Sequence, residues 1–422
     1  MPCGGGRCVV ARGGGRSRSA RRARRERSPR PVAHGGPDEE RDVSRARAIV
    51  DVGAIRHNVG VIDAHVRGLA DAVRSAAVCA VVKADGYGHG AVASARAALD
   101  GGARWLAVAH AFEGAELRAA GIDAPVLLLT EPLSHELDAV VEHDLRVAVY
   151  SVEGLDRLTA VAARSAQAIR VHLKVNTGMN RAGARPEDVS DLAVRVARTP
   201  GLELEGLWTH FASGEVVGSS ATAVQLERFA EVRAGLGAAG IEPPLVHASN
   251  SGATILRPDA HFDMVRPGLA VYGVAPAHEL AGHLHLLPAL SLESEVTHVQ
   301  RGLAGEGVSY GWHHRLARDT VLATVPIGYA DGIPRRSGMV GATVLVGGRA
   351  VPIVGAVTMD QLVVDVGPTG EVGVGDAVVL VGAQGGERVA VEDWAGRLGL
   401  LTYEVLTGIG GRVERVYRGG GR

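Results

Sequence analysis

The sequence predicts an α/β fold: a parallel (β/α)8 barrel of the TIM type, followed by an all-β domain. Two observations carry this prediction. Between residues 46 and 285, short apolar runs alternate with Ala/Leu/Arg/Glu stretches of helical period, eight times in about 220 residues. After residue 285 the helical period nearly disappears, and Val/Gly-rich alternating runs replace it.

The elements follow in chain order. Residues 1–45 hold twelve arginines against five acidic residues, with no apolar periodicity, so a disordered Arg/Gly-rich extension is expected there. An arginine-rich arm suits nucleic acid. No aromatic or folded binding module accompanies the charge, so a dispensable extension, or a start placed too far upstream, is the preferred reading. Next comes a strand-like RAIVDVG (47–53), able to pair with either domain. The eight barrel runs are VCAVVK (78–83), RWLAVA (104–109), PVLLLT (125–130), RVAVY (146–150), RVHLKV (170–175), LEGLWTHF (204–211), PLVHAS (244–249) and FDMVRP (262–267). They are continuous and separated by helical stretches such as 221–240, as parallel strands require. The β domain, 286–422, is read from LSLESEVTHV, TVLATVPIGYA, ATVLVGGRAVPIVG, QLVVDVG and GDAVVLVG.

Composition narrows the class. The chain of 422 residues is 46% hydrophobic, enough for two cores. No apolar run is long enough to span a bilayer, and none follows the basic start as a secretory signal would. Three cysteines, two of them in the tail, give no disulfide framework. A soluble cytoplasmic protein is expected.

The lysines are the sharper clue. Of 45 Lys plus Arg, only Lys83 and Lys174 are lysine. Arginine can replace lysine wherever only charge is needed, but a guanidinium will not form an imine. In a parallel barrel the working residues lie after the C-terminal ends of the strands. Both lysines fall there, with His210, His247, Ser251 and Arg266. The loops after strands seven and eight, with Ser251-Gly252 and Arg266-Pro267-Gly268, occupy the usual phosphate-binding place in barrels. A lysine amine beside a phosphate cradle suits pyridoxal 5′-phosphate. Each residue also has an ordinary reading: the glycines as turns, Arg266 as a salt bridge, Arg181 as a helix cap, Lys174 as a cation paired with an acid. Cys79 reads as barrel packing.

VVKADGYGHG, KVNTGMNRAG, HASNSGAT, VRPGLAVYG, VSYGWHH, IGYADGIPR and VGAVTMDQ resemble, in order, the motifs of bacterial alanine racemases. The resemblance runs from about residue 46 to about 418. It implies pyridoxal phosphate bound to Lys83 as a Schiff base, with Lys83 and Tyr310 as the two acid–base groups. Tyr310 would reach the barrel of the partner subunit in a homodimer. The resemblance further implies Tyr87, Ser251, Tyr403 and the backbone of Gly268 and Leu269 around the phosphate. His210 would lie near the pyridine ring, and Arg266 at its nitrogen. Arg181 and the backbone N–H of Met359 would hold the substrate carboxylate, and Lys174 is a candidate for carbamylation. The implied role is supply of D-alanine for peptidoglycan, with no membrane or nucleic-acid partner.

Chemistry supports these roles. Inverting Cα without turning the molecule over needs an acid–base group on each face. A phenol ordinarily ionises near pH 10, so a tyrosine base needs a tuning neighbour. Arg266 can only donate hydrogen bonds, so it would leave the pyridine nitrogen unprotonated and restrain transamination. This argues against a decarboxylase of the same architecture, which resembles its relatives in placing an acid there. A racemase acting on serine or several amino acids stays open at this stage. A cofactor-storage protein does not need the β domain with Tyr310. Two positions depart from the common pattern: Thr358 where many relatives have cysteine, and Glu215 in FASGE where relatives often end a small-residue run in aspartate.

Overall fold

A computed structural model describes residues 45–69 and 75–420. The extension expected over 1–45 lies, up to residue 44, outside the described residues. No helix among the described residues is long and apolar enough to cross a membrane.

The first strand, β1 (Ala46–Asp51), leads into a helix, Val52–Gly68. Asp51 caps that helix by accepting from Ala54 N at 3.0 Å. Eight parallel strands then close into a barrel: β2 (Ala77–Val81), β3 (Trp105–Val108), β4 (Val126–Leu128), β5 (Arg146–Val149), β6 (Ile169–Lys174), β7 (Leu202–Trp208), β8 (Leu245–His247) and β9 (Met264–Val265). Each falls on one of the eight predicted runs. Val126, Leu127 and Leu128 of β4 are buried in sequence, as are Val147, Ala148 and Val149 of β5. Strands covered on both faces need such unbroken apolar runs. The predicted helix at 221–240 spans Ser220–Ala238, started by the Ser219 hydroxyl.

The β6–β7 pairing contains a bulge. Val171 pairs with Leu204 and His172 with Gly206, so Glu205 is the extra residue on β7.

The C-terminal part is mostly β. Strand β10 (Leu290–Glu295) joins a sheet that runs from Arg349–Pro352 through Thr343–Val346, Ala377–Gln384, β10 and β1 to Glu414–Arg418. A three-stranded sheet (His298–Gly302, Thr320–Val325, Leu362–Gly367) lies beside it in the chain. β1 therefore pairs with the C-terminal sheet, antiparallel to β10 and parallel to Glu414–Arg418. The sequence left that choice open. Buried Asn58 ties the first helix to the segment after the barrel. Its Nδ2 donates to Val271 O at 3.1 Å and Leu287 O at 2.8 Å, and its Oδ1 accepts from Leu287 N at 2.7 Å.

Candidate active site

The C-terminal ends of the barrel strands open onto a cavity of about 620 Å³ lined by Lys83, Tyr87, Lys174, Arg181, His210, Ser251, Arg266, Gly268 and Tyr403, among others. Four of its lining residues are cations and none is a carboxylate. That field favours an anionic guest.

Lys83 does not end its strand. β2 stops at Val81, and Lys83 opens a turn in which Ala84, Asp85, Gly86 and Tyr87 have φ of 52°, 52°, 59° and 54°. Three non-glycine residues in this left-handed region cost on the order of 1 kcal/mol each. Buried Glu113 holds the turn. Its carboxylate accepts from Ala84 N at 2.6 Å, Ala109 N at 2.7 Å and His110 N at 2.9 Å. The left-handed turn brings Lys83 and Tyr87, four residues apart, to the same cavity. Burial lowers the pKa of the Lys83 amine, Arg181 lowers it further, and Glu113 opposes them. A lower pKa leaves more of the nucleophilic amine.

Lys174 ends β6, buried, with Nζ 4.5 Å from the centre of the Trp208 ring. Burial, with Arg181, Arg266 and Lys83 nearby, pushes its pKa down to about 8. Arg181 stands exposed in the loop after β6. There Asn176 Oδ1 accepts from Gly178 N at 3.2 Å and Asn180 N at 2.9 Å, shaping the turn.

Arg266 follows β9 and is 3% exposed. It makes no salt bridge among the described residues. It donates to His247 Nδ1 at 2.7 Å, Thr209 O at 2.8 Å and Ala248 O at 2.9 Å. His210 Nδ1 lies 3.4 Å from Nη2. Burial, with Arg266 the largest charge nearby, holds the His210 ring far below the usual histidine range.

The loops after β8 and β9 form a cradle. Gly268 N and Ala270 N both donate to Ser251 Oγ, at 2.9 and 3.3 Å. Two peptide donors thus converge on one oxygen beside Tyr87. A Cβ on Gly268 would come within 2.5 Å of Tyr87 Oη, so only glycine leaves this space. Tyr87 packs against Tyr272 and Tyr403, with ring centres 5.1 and 5.8 Å apart. Leu269 is fully buried behind the cradle. The two N–H groups fix the Ser251 hydroxyl as an acceptor and leave its own O–H to donate, and that donor, the small residues and the basic side chains of the cavity fit a phosphate.

Two candidates lie elsewhere. Tyr310 and Met359 line a separate concavity of about 750 Å³ on the β region, with Tyr329, Thr358 and the Arg412–Asp331 pair. Tyr310 is 72% exposed and Met359 is 53% exposed. Ser309, with φ 59° and ψ −169°, and Gly311, with φ 73°, flank Tyr310. The Ser309 hydroxyl donates to Ala356 O at 2.6 Å. Thr358 closes its own turn, its hydroxyl donating to Gln361 O at 2.9 Å. The Glu215 carboxylate is near enough to raise the pKa of Tyr403, after burial.

Sequence reasoning missed Trp208, His172, Glu205 and Glu113. Trp208 packs on Arg266 and His247, His172 bonds His247, and Glu205 bonds His172; Gly206 was the local signal of the bulge that places Glu205.

Comparison with known proteins agrees with this architecture. Residues 50–276 match the alanine racemase N-terminal domain and residues 289–417 match the alanine racemase C-terminal domain. The chain is similar to the alanine racemase of Symbiobacterium thermophilum, 44% identical over 88% of this chain and 97% of that one. It is 40% identical to that of Thermobifida fusca, over 89% and 99%. Among solved structures it resembles alanine racemase from D-cycloserine-producing Streptomyces lavendulae, with a TM-score of 0.83 and 39% identity over 90% of this chain and 98% of that one. It also resembles the Bacillus anthracis alanine racemase solved with bound L-Ala-P, with a TM-score of 0.83 and 36% identity over 90% and 96%. Matched in both domains and in fold, the chain belongs to the alanine racemase family.

Proposed function

We propose that this protein interconverts L- and D-alanine as a pyridoxal-phosphate-dependent isomerase, with Lys83 and Tyr310 as its two proton-transfer groups. The observation that carries the reading is the cavity itself: a buried amine of lowered pKa, a serine hydroxyl held by two peptide donors, and three further basic side chains without an acid. Pyridoxal phosphate, when bound, supplies an electron sink that acidifies the substrate Cα–H. Lys83 would hold it, with Ser251, Tyr87, Tyr403 and the Gly268–Leu269 backbone at the phosphate. Arg266 would face the pyridine nitrogen as a donor, and His210 would lie near the ring.

The remaining steps belong to the protein's own groups. Arg181 and the backbone N–H of Met359, which lines the same concavity as Tyr310 and so comes with it from the other chain, bind the substrate carboxylate and orient Cα. Lys83 Nζ takes or returns the proton on one face, and the Tyr310 hydroxyl does so on the other. Lys174, once carbamylated, would carry a negative charge that steers Arg181. Lys83 and Tyr310 line different concavities of one chain, and Tyr310 is exposed. This supports a homodimer in which Tyr310 of each chain completes the other's site. The product would serve peptidoglycan synthesis.

The test is production of D-alanine from L-alanine, read with the visible absorbance of bound cofactor. Wild type is expected to give both, and Lys83→Arg to lose both. Absorbance without alanine turnover would redirect the reading to another amino acid. No absorbance in protein supplied with cofactor would overturn it.

A further inference from the structure

A polar relay runs from the cavity into the barrel interior, and the reaction proposed above does not use its far end. Arg266 Nη1 lies 2.7 Å from His247 Nδ1, His247 Nε2 lies 2.9 Å from His172 Nδ1, and His172 Nε2 lies 3.0 Å from Glu205 Oε2. Arg266, His247 and His172 are buried, and the Glu205 side chain is 15% exposed, with Arg146 Nε 3.8 Å away.

The protons of this relay have a single consistent arrangement. A guanidinium only donates, so His247 Nδ1 must accept. The His247 proton is then on Nε2 and is donated to His172 Nδ1. The His172 proton is therefore on Nε2 and is donated to the Glu205 carboxylate. A doubly protonated His172 would turn an N–H toward His247 Nε2–H, setting two donors face to face. Burial keeps both rings on the neutral side, aided at His247 by Arg266 and opposed at His172 by Glu205.

Two backbone features serve the same relay. Glu205 is the extra residue of the β7 bulge, and bulges re-aim side chains. Gly206, opposite His172, makes room for its ring: a Cβ there would lie 2.2 Å from His172 Nδ1. Trp208 stacks on His247, with centres 5.5 Å apart and planes at 12°. Trp105 meets His172 edge-on at 5.7 Å.

We infer that Glu205 and His172 are positioning residues for the reaction, acting through the His247 tautomer to hold the Arg266 guanidinium in place at the cavity. The inference rests on the role proposed for Arg266 at the pyridine nitrogen. Without an acceptor at residue 205, the buried His172 Nε2–H loses its partner and the tautomer reverses. Its Nδ1–H then opposes His247, which must turn its own proton toward Arg266. The guanidinium loses an anchor and shifts.

The test begins with cofactor-free wild-type protein labelled with ¹⁵N at histidine. Both rings are expected to be neutral, with the proton on Nε2 and none on Nδ1. A proton on Nδ1 of either ring overturns the inference, whatever the reaction is. Glu205→Gln keeps a carbonyl acceptor and should keep this pattern and most of kcat. Glu205→Met should lose the pattern and about tenfold in kcat, with KM within about twofold, as for an outer partner of a working residue. Gly206→Ala keeps all four polar side chains yet displaces the His172 ring, and should fail as Glu205→Met does. Altered tautomers with unchanged kcat would overturn the inference and leave the racemase reading intact. The expected wild-type tautomers without any racemisation would overturn the racemase reading, and the inference with it. If Glu205→Met does not fold, the wild-type spectrum and Gly206→Ala still decide.

Discussion

Arg266 Nη1 and His247 Nδ1 lie 2.7 Å apart, and only the arginine can be the donor. The cavity therefore presents a cation that can only donate; with the pyridine nitrogen here, as proposed, no acid is at hand to protonate it. Arg266→Glu reverses that polarity and leaves the carbonyls of Thr209 and Ala248 without their donor. Racemisation is expected to fall by about 10²-fold or more, the scale of losing a preorganised donor. Pyruvate formed per alanine racemised should rise. Chiral analysis of alanine with a pyruvate assay checks both, and an unchanged ratio would remove Arg266 from control of the side reaction.

The cradle makes a prediction about space alone. Gly268→Ala sets a methyl within 2.5 Å of Tyr87 Oη. Overpacking typically costs about 1–3 kcal/mol, or roughly five- to 150-fold in Kd where the cost falls on binding. Titration with pyridoxal phosphate, followed by absorbance, should show weakening on that scale. Equal affinity would place the phosphate elsewhere.

Lys174 gives a pH prediction. Its amine is pushed down to about 8 in the fold, whereas an unfolded chain keeps that proton to about pH 10.4. Between these values the unfolded chain binds more protons than the folded one, so this group makes stability rise with pH. Below about pH 8 the full cost of burying the ammonium is present. Lys174→Met should therefore melt higher than wild type near pH 7, with the difference shrinking toward pH 10. Calorimetry of both proteins across that window checks it. A difference that stays flat would show that no amine titrates there, the behaviour of a carbamylated lysine.

Much of this was legible in the sequence. The eight apolar runs marked the barrel strands because parallel strands are buried on both faces. The scarcity of lysine singled out Lys83 and Lys174, and both line one cavity. The left-handed turn after Lys83 was not legible: Ala84 and Tyr87 are not residues that favour it, and buried Glu113 holds it from the helix Ala111–Ala119 that follows β3. His172 and Glu205 read as ordinary strand positions until barrel closure set His172 against His247 and a bulge set Glu205 against His172. Tyr310 came from resemblance alone, because among the described residues it and Lys83 line different concavities.

The most direct test of the shared two-group site uses that separation of Lys83 and Tyr310. Lys83→Arg and Tyr310→Phe are each expected to be inactive or nearly so as homodimers. Co-expressed with different tags, they form heterodimers that can be purified by both tags. If each site takes Lys83 from one chain and Tyr310 from the other, one site of the pair is intact and the heterodimer recovers about half of wild-type activity. A heterodimer that stays inactive, while wild-type chains carrying the same tags are active, would contradict the account.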